Sequence, residues 1–167
     1  MTKDQRAPAL LSREMIAAMS ERTHQHAFNP NGVRRTRSLS DACGMQALGV
    51  HLVRLEPGRD STEYHTHAHD EEWIYILSGR GIAQIGNVRS EVHAGDFMGF
   101  VAGSLPHAMS NESAEDLVYL VGGTRNPYDV VDYPRQHIRS YKYAGKRDDV
   151  QTDQLERAAA GSPPRPL

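Results

Sequence analysis

The chain has 167 residues, of which 38% are hydrophobic and 24% charged, so it is long enough to bury the core of one ordinary globular domain. Its formal net charge of −2 creates no overall field that would attract nucleic acid or an anionic membrane. Cys43 is the only cysteine, which excludes an internal disulfide and a thiolate cluster for a metal ion. Any bound metal must therefore be held by nitrogen and oxygen.

The N-terminal region is predicted to form a short helix followed by a polar arm. The stretch "APALLSREMIAAM" is interrupted by Arg13 and Glu14, so it suits neither a secretory signal nor a membrane span, and we expect a cytoplasmic protein. Ser12 is a candidate N-cap for a helix with Met15 and Met19 on one side. The next twenty or so residues are polar and carry Asn-Pro and Asn-Gly turn signals. We interpret residues 1–40 as this helix and an arm that wraps a domain.

The middle of the chain is predicted to be all-β. Short β-rich segments follow one another from residue 41 to 125, and each is closed by Gly, Asn or Asp. Because such short turns leave no room for crossover helices, an antiparallel sandwich or barrel is favoured over a parallel sheet. Residues 126–150 form an extended segment that lines the mouth of the barrel or packs on its sheet, and residues 151–167 are interpreted as a flexible, Pro-rich tail.

The stretch "HTHAHDEEWIYILSG" carries candidate metal ligands in front of an apolar run. Residues two apart on a strand face the same way, so His65 and His67 can converge on one ion; His69 shares their parity. Glu72 lies five residues after His67 and would face the other side of a straight strand. We therefore expect a bulge or tight turn between residues 68 and 71 that re-aims Glu72 at the metal.

A fourth ligand is expected from a neighbouring strand. His107 is the best candidate, because glycines and Pro106 turn the chain just before it. The other histidines are less persuasive, although His24 and His26 also have the spacing of a ligand pair. On spacing alone, the histidine-rich stretch is equally compatible with a solvated surface loop.

The apolar run "WIYIL" has hydrophobic residues on both parities, as a strand covered on both faces must have. One face would meet the barrel interior and the other a second sheet or another subunit. We therefore predict a homodimer in which the polar arm reaches across to the second copy.

These residues resemble the two sequence motifs of the cupin superfamily. The first motif is matched by Gly58, the His65 and His67 pair, Glu72 and Gly79. The second motif is matched within "GDFMGFVAGSLPHAMSN" by the following residues: Gly95, Gly103, His107 and Asn111. The second motif departs from the family pattern in two places, since Val101 replaces a proline and three residues instead of two separate Gly103 from His107.

The resemblance implies a jelly-roll barrel of the double-stranded β-helix type, with one divalent ion held by four ligands: His65, His67, Glu72 and His107. Three imidazoles and a carboxylate suit Fe, Mn, Ni, Zn or Co. Outside the motifs, "LVYLVGGTRNPYDVVDYP" is similar to small bacterial cupins that are provisionally called sugar-phosphate isomerases. The implied function is isomerase-like or lyase-like chemistry on a small polar metabolite. Alternatives are a dioxygenase that uses Fe(II) and O₂, and a non-catalytic sensor or binding module.

Three side chains near the proposed ligands are candidates for proton transfer. His69 is a candidate because imidazole is the side chain that most often transfers protons near neutral pH, and Tyr64 or Tyr75 would serve if either side chain turns inward; otherwise both tyrosines are packing residues. Asp70 and Glu71 are interpreted as a solvated rim. The run "RRTR" (Arg34, Arg35 and Arg37) is interpreted as surface charge, with guidance of an anionic substrate as the alternative.

Overall fold

The fold is described from a computed structural model that covers residues 7–156. Within that range it has two short α-helices and thirteen strands, and the all-β prediction is confirmed. The helices are α1 (Arg13–Ala18) and α2 (Leu39–Ala42). The strands are β1 (Arg22–His26), β2 (Asn29–Ser38), β3 (Leu48–Leu55), β4 (Thr66–His67), β5 (Glu72–Ser78), β6 (Arg80–Ile85), β7 (Val88–His93), β8 (Phe97–Phe100), β9 (His107–Ser110), β10 (Leu117–Thr124), β11 (Tyr128–Tyr133), β12 (Ile138–Tyr143) and β13 (Lys146–Gln151).

The strands form two facing walls. One wall is a six-stranded sheet in the order β1-β2-β3-β10-β5-β8. The other consists of a four-stranded sheet, β13-β12-β11-β4, and a three-stranded sheet, β7-β6-β9. An isolated antiparallel bridge between His65 and His107 joins these two smaller sheets. The arrangement is a jelly roll, as the sequence predicted.

The hydrophobic core lies between the walls and follows the two-residue period of the strands. From the six-stranded sheet, Val53 and Ile76 point inward and are fully buried, and Met109 of β9 meets them from the opposite wall. On the outer face of β5, however, Tyr75 is 40% exposed and Leu77 is 42% exposed. The second apolar face of "WIYIL" is therefore not covered by any sheet formed by residues 7–156.

The N-terminal arm is a β-hairpin. Strands β1 and β2 pair with each other, and β2 pairs with β3, so the hairpin extends the six-stranded sheet of its own chain. No strand was predicted here from the sequence, because the residues of the hairpin are almost all polar. Both faces of the hairpin are polar, because one lines a cavity and the other is solvated. No alternation of apolar and polar residues therefore marks these strands in the sequence.

The segment after residue 125 is a three-stranded meander, β11-β12-β13, that pairs with β4 through Val131 and His67. Thr152–Gln154 form one 3-10 turn after it. The rest of the predicted tail, from residue 157, lies outside the described residues. No helix within residues 7–156 is long and apolar enough to cross a membrane.

The motif residues other than the candidate ligands have structural roles. The four motif glycines have positive φ angles between 71° and 97°. Asn111 is fully buried, and its Nδ2 donates to the carbonyl oxygens of Leu55 and Glu115, at 2.8 Å each. The amide of Asn111 therefore fixes the chain between β9 and β10 to the end of β3.

Candidate metal centre

Three imidazoles converge on one carboxylate oxygen between the walls. The Nε2 atoms of the histidines lie at similar distances from Glu72 Oε2: 3.7 Å for His65, 3.6 Å for His67 and 3.8 Å for His107. The ligand atoms of His65, His67 and Glu72 all lie within 4.8 Å of one another. The four residues predicted as metal ligands are thus brought together.

The strand pairing explains this convergence. His65 and His107 are direct partners across the two smaller sheets, with N–H to O=C hydrogen bonds of 3.1 and 2.8 Å, so their rings lie side by side. Strand β4 ends at His67, and β5 starts at Glu72 in the opposite wall. The predicted break in alternation is therefore present, and it carries the chain from one wall to the other.

The donor set fits a divalent cation. The distances of 3.6–3.8 Å between the imidazole Nε2 atoms and Glu72 Oε2 are longer than ordinary hydrogen bonds. The imidazoles therefore face Glu72 but do not form well-made hydrogen bonds with it. Both ring nitrogens of His107 are buried and have no hydrogen-bond partner in the described part of the chain, and its ring stacks on Phe100 at 3.6 Å. Such an orphaned imidazole beside a carboxylate is well suited to ligate a metal ion.

The electrostatics of the cluster favour positive charge. Burial raises the pKa of Glu72, but the three surrounding imidazoles outweigh it and hold the pKa of this carboxyl well below its usual range. Burial lowers the pKa of His67, but the carboxylates of Asp129 and Glu72 outweigh it and raise the pKa to about 9. The cluster stabilises a cation at its centre, whether a proton or a metal ion.

Asp129 holds His67 in place from behind. Its Oδ2 lies 2.6 Å from His67 Nδ1, and its Oδ1 accepts hydrogen bonds from the backbone N–H groups of His69 and Asp70. Lys142 Nζ lies 3.3 Å from Asp129 and 3.2 Å from Asp70, so it neutralises both carboxylates. Asp129 and Asp70 also form a cluster with His67 that has metal-ligand spacing. Because Lys142 already pairs with both carboxylates of this second cluster, we interpret the cluster as support for His67 and not as another metal site.

We expect Asp129→Asn to weaken metal binding by about 10- to 100-fold without unfolding the protein. The amide keeps the shape of the side chain but loses the charge that orients and polarises His67. Asp132→Asn on the same strand is the matched control, because Asp132 pairs only with Arg139 at 2.6 Å and should leave metal affinity unchanged. Competition with a chromophoric chelator measures both affinities. Equal losses in the two variants would contradict the role of Asp129.

The cluster opens into a cavity of about 490 Å³ between the walls. The candidate ligands line it on one side. The hairpin β1–β2 contributes His24, His26 and Arg34, and the C-terminal meander contributes Tyr133 and Arg147. Tyr119 lies at its floor, and burial raises the pKa of its hydroxyl to about 12. The cavity is large enough for a small polar metabolite beside the four candidate ligands.

Comparison with known proteins identifies the family. Residues 51–123 match the family model of the cupin domain. A protein from Acidithiobacillus ferrooxidans, provisionally named a sugar phosphate isomerase, has a solved structure that is 41% identical in sequence, with a TM-score of 0.88, over 89% of this chain and 96% of that one. The chain is a cupin.

Two further solved structures resemble this cupin. A sugar phosphate isomerase of the cupin superfamily from Silicibacter pomeroyi is 26% identical over 90% of this chain and 97% of that one, with a TM-score of 0.75. A protein from Thermotoga maritima, predicted to be an oxalate decarboxylase, is 20% identical over 66% of this chain and 96% of that one, with a TM-score of 0.56, and shares the fold. No curated protein sequence matches this cupin.

The structure does not bring the three proton-transfer candidates to the cavity. Tyr64 is buried and donates to the carbonyl oxygen of Gly86 at 2.9 Å, while Tyr75 lies on the outer face of β5. His69 is exposed, and its backbone binds Asp129 and Asn126. Asp70 is also placed differently from the predicted rim: it is buried and accepts from the backbone N–H of Asn126 at 2.9 Å.

Sequence reasoning missed Asp129 behind the candidate ligands and several residues that line the cavity of this cupin. Asp129 lies in a segment whose alternating pattern, "YDVVDY", does not distinguish it from Asp132. The pair His24 and His26 has a visible spacing signal, but the signal suggested a metal pair, not a cavity wall. Arg34 was interpreted together with Arg35 and Arg37 as surface charge, with guidance of an anionic substrate as the alternative, because the run does not show that its members face different sides of a strand.

Proposed function

We propose that this cupin is a metal-dependent enzyme that isomerises a small phosphorylated sugar. The observation that carries the proposal is the set of three imidazoles and one carboxylate at the wall of a cavity of about 490 Å³. The names of the relatives from Acidithiobacillus ferrooxidans and Silicibacter pomeroyi support the same substrate class.

The metal ligands in this proposal are His65, His67, Glu72 and His107. Iron, manganese, nickel, zinc or cobalt bound there would supply a Lewis acid for a carbonyl or hydroxyl oxygen of the sugar. Phe100 stacks on His107, and Tyr133 stacks on His65 with ring centroids 6.0 Å apart. These aromatic contacts hold two of the imidazoles in fixed orientations.

Two histidines of the hairpin are suited to handle substrate hydrogen bonds and protons. Burial lowers the pKa of both His24 and His26, the latter to about 4, so both rings are neutral at pH 7. His26 Nδ1 accepts from the backbone N–H of Phe28, which leaves the proton on Nε2, where it can be donated to a substrate oxygen. His24 has no side-chain hydrogen bond within residues 7–156 and is the proposed proton acceptor.

The test is proton exchange at the carbon next to the carbonyl group. The metal-loaded protein is incubated in D₂O with a panel of aldose and ketose phosphates, and deuterium incorporation is followed by NMR. We expect incorporation and interconversion with the native protein and neither with His67→Ala. Oxygen consumption would instead support the dioxygenase alternative, and binding without exchange would support a sensor.

The dimer remains a prediction, now based on the outer face of β5 and β8. Tyr75, Leu77 and Phe97 are exposed there, and Phe97 stacks against Trp73. We expect light scattering to give twice the mass of the chain, and Leu77→Lys to give the monomer. Val88→Lys is the control, because Val88 is 64% exposed on the β6–β7 hairpin, away from this face. A monomeric native protein at micromolar concentration would contradict the prediction.

A further inference from the structure

The arginine run on β2 is divided between the two faces of the sheet. Arg35 and Arg37 point outward and pair with Glu56 and Glu21. Arg34 has the opposite parity and lines the cavity. The three charges are therefore not one surface patch, and Arg34 needs a separate explanation.

Arg34 is partly buried and has no carboxylate partner within residues 7–156. Its Nη1 donates to the carbonyl oxygen of Ser61 at 2.7 Å, which fixes its position and leaves its charge uncompensated. A buried or half-buried guanidinium is normally paired with an acid. An arginine that keeps its charge free inside a cavity is suited to bind an anion.

The cleft that Arg34 lines also contains residues whose buried polar atoms have no hydrogen-bond partner in the described part of the chain. Among residues 7–156, five buried side-chain polar atoms have no hydrogen-bond partner, and they lie in two places. Two belong to the ring of His107, at the candidate metal centre. The other three are Thr36 Oγ1, Ser38 Oγ and His51 Nδ1, which line a second cleft together with Arg34.

We propose that this cleft, which we name the arginine cleft and define by Arg34, Thr36, Ser38 and His51, binds the phosphate group of the substrate. A phosphate offers three acceptor oxygens and a charge near −2, which matches one guanidinium and a set of hydroxyl and imidazole donors. This inference rests on the proposed function only for the sugar part of the substrate. The proposal that the cleft binds a phosphate group is independent of that function.

The arginine cleft adjoins the metal-side cavity. His24, Arg34 and His51 line both spaces. On the inner face of the six-stranded sheet, His51 pairs with Val121, and Val121 pairs with Ile74, two residues after Glu72. His51 and Glu72 are thus two strands apart, or roughly 10 Å across the sheet. An extended phosphorylated sugar of a few carbons spans this gap.

The charge balance of the cleft favours an anion. One carboxylate, Asp41, also lines it, but Asp41 Oδ1 is paired with Arg125 Nη2 at 2.7 Å. The pair of Asp41 and Arg125 does not neutralise Arg34, so the positive charge of Arg34 remains available to an anion in the cleft.

The test is calorimetric titration of the full chain with inorganic phosphate, both metal-free and metal-loaded. We expect the metal-free protein to bind phosphate, and Arg34→Gln to weaken this binding by about tenfold or more, the loss expected for a charge-assisted hydrogen bond. Arg35→Gln is the matched control: it removes the same charge from the next residue, on the outer face, and should bind phosphate like the native protein. Equal losses of phosphate affinity in the two variants, or no phosphate binding by the native chain, would overturn the proposal that this cleft binds phosphate.

A second variant separates binding from folding, because Arg34 also holds the carbonyl group of Ser61. Thr36→Val replaces an unpartnered buried hydroxyl by a methyl group of similar size. We expect it to leave the melting temperature unchanged or higher, while phosphate binding becomes several-fold weaker. Lower stability with unchanged phosphate affinity would show that Thr36 is structural and would count against the cleft.

The same titration with ribose 5-phosphate and ribose addresses the substrate class. Tighter binding of the phosphate ester, lost in Arg34→Gln, supports the inference; equal affinity for ribose overturns it. Failure of the proposed isomerase would look different. It would leave phosphate binding intact while deuterium exchange is absent, whereas failure of the arginine cleft would leave exchange intact without dependence on Arg34.

Discussion

His67→Ala should yield a protein without stoichiometric metal, whereas His69→Ala should keep its metal. His67 Nε2 lies 3.6 Å from Glu72 Oε2, and its other ring nitrogen is fixed by Asp129. His69 has the same parity in the sequence, but its side chain is exposed and lies outside the cavity. Elemental analysis of the purified variants, expressed and dialysed identically, gives the metal content per chain.

Glu72→Gln completes this experiment. Because Glu72 supplies the proposed anionic ligand in the cluster, the amide should lower the metal content nearly as far as His67→Ala does. If His69→Ala loses the ion while Glu72→Gln retains it, the centre is built from three histidines of one strand face. The proposed ligand set would then be wrong.

Gly79→Ala should destabilise the protein by about 3 kcal/mol or more, which corresponds to a fall in melting temperature of roughly 6–12 °C for a chain of this size. Gly79 lies in the turn between β5 and β6 with φ of 78°, a conformation that costs other residues about 1–2 kcal/mol. A Cβ atom there would also overlap the carbonyl oxygen of Asp116 and lie 3.1 Å from Leu117 Cα. Both contacts are with backbone atoms, and these atoms cannot move aside without disturbing β10.

Gly58→Ala is the matched control for this prediction. Gly58 has nearly the same φ, 75°, but a Cβ atom added there meets nothing within 4 Å. Its alanine variant should therefore show only the conformational cost, about 1–2 kcal/mol. Thermal and urea unfolding of both variants measure the difference. Equal destabilisation would mean that the turn at Gly79 relaxes and that the close approach to Asp116 has no energetic consequence.

The sequence predicted the barrel and the candidate cluster because both follow from local patterns. Short β-rich segments closed by Gly, Asn or Asp identified the strands whose inner faces form the core, such as those of Val53 and Ile76. The five-residue spacing between His67 and Glu72 required a turn before Glu72, and the structure has it. His107 was chosen because glycines and Pro106 turn the chain before it, and the second motif then supported it; its pairing with His65 explains why a residue so distant in sequence completes the cluster.

The cavity walls could not be predicted in the same way. Their residues are polar and meet only through long-range pairing, as when β11 is placed beside β4 and brings Asp129 to His67. Proton-transfer candidates were sought near the ligands in sequence, but Tyr64 and Tyr75 lie on other faces. The turn that re-aims Glu72 also directs His69 outward, so proximity along the chain was misleading at this site.

The β1–β2 hairpin has an evolutionary consequence. All four candidate ligands fall within the family-matched stretch 51–123, whereas His24, His26 and Arg34 come from a hairpin encoded entirely before it. In the proposed function, the metal ligands and the substrate-contacting residues of the hairpin therefore come from separate parts of the gene. Because β2 pairs with β3, the hairpin itself is needed for the six-stranded sheet, but substitutions at its cavity-facing positions would alter the substrate without touching the candidate ligands. Divergence of specificity within such cupins should therefore concentrate at the N-terminus.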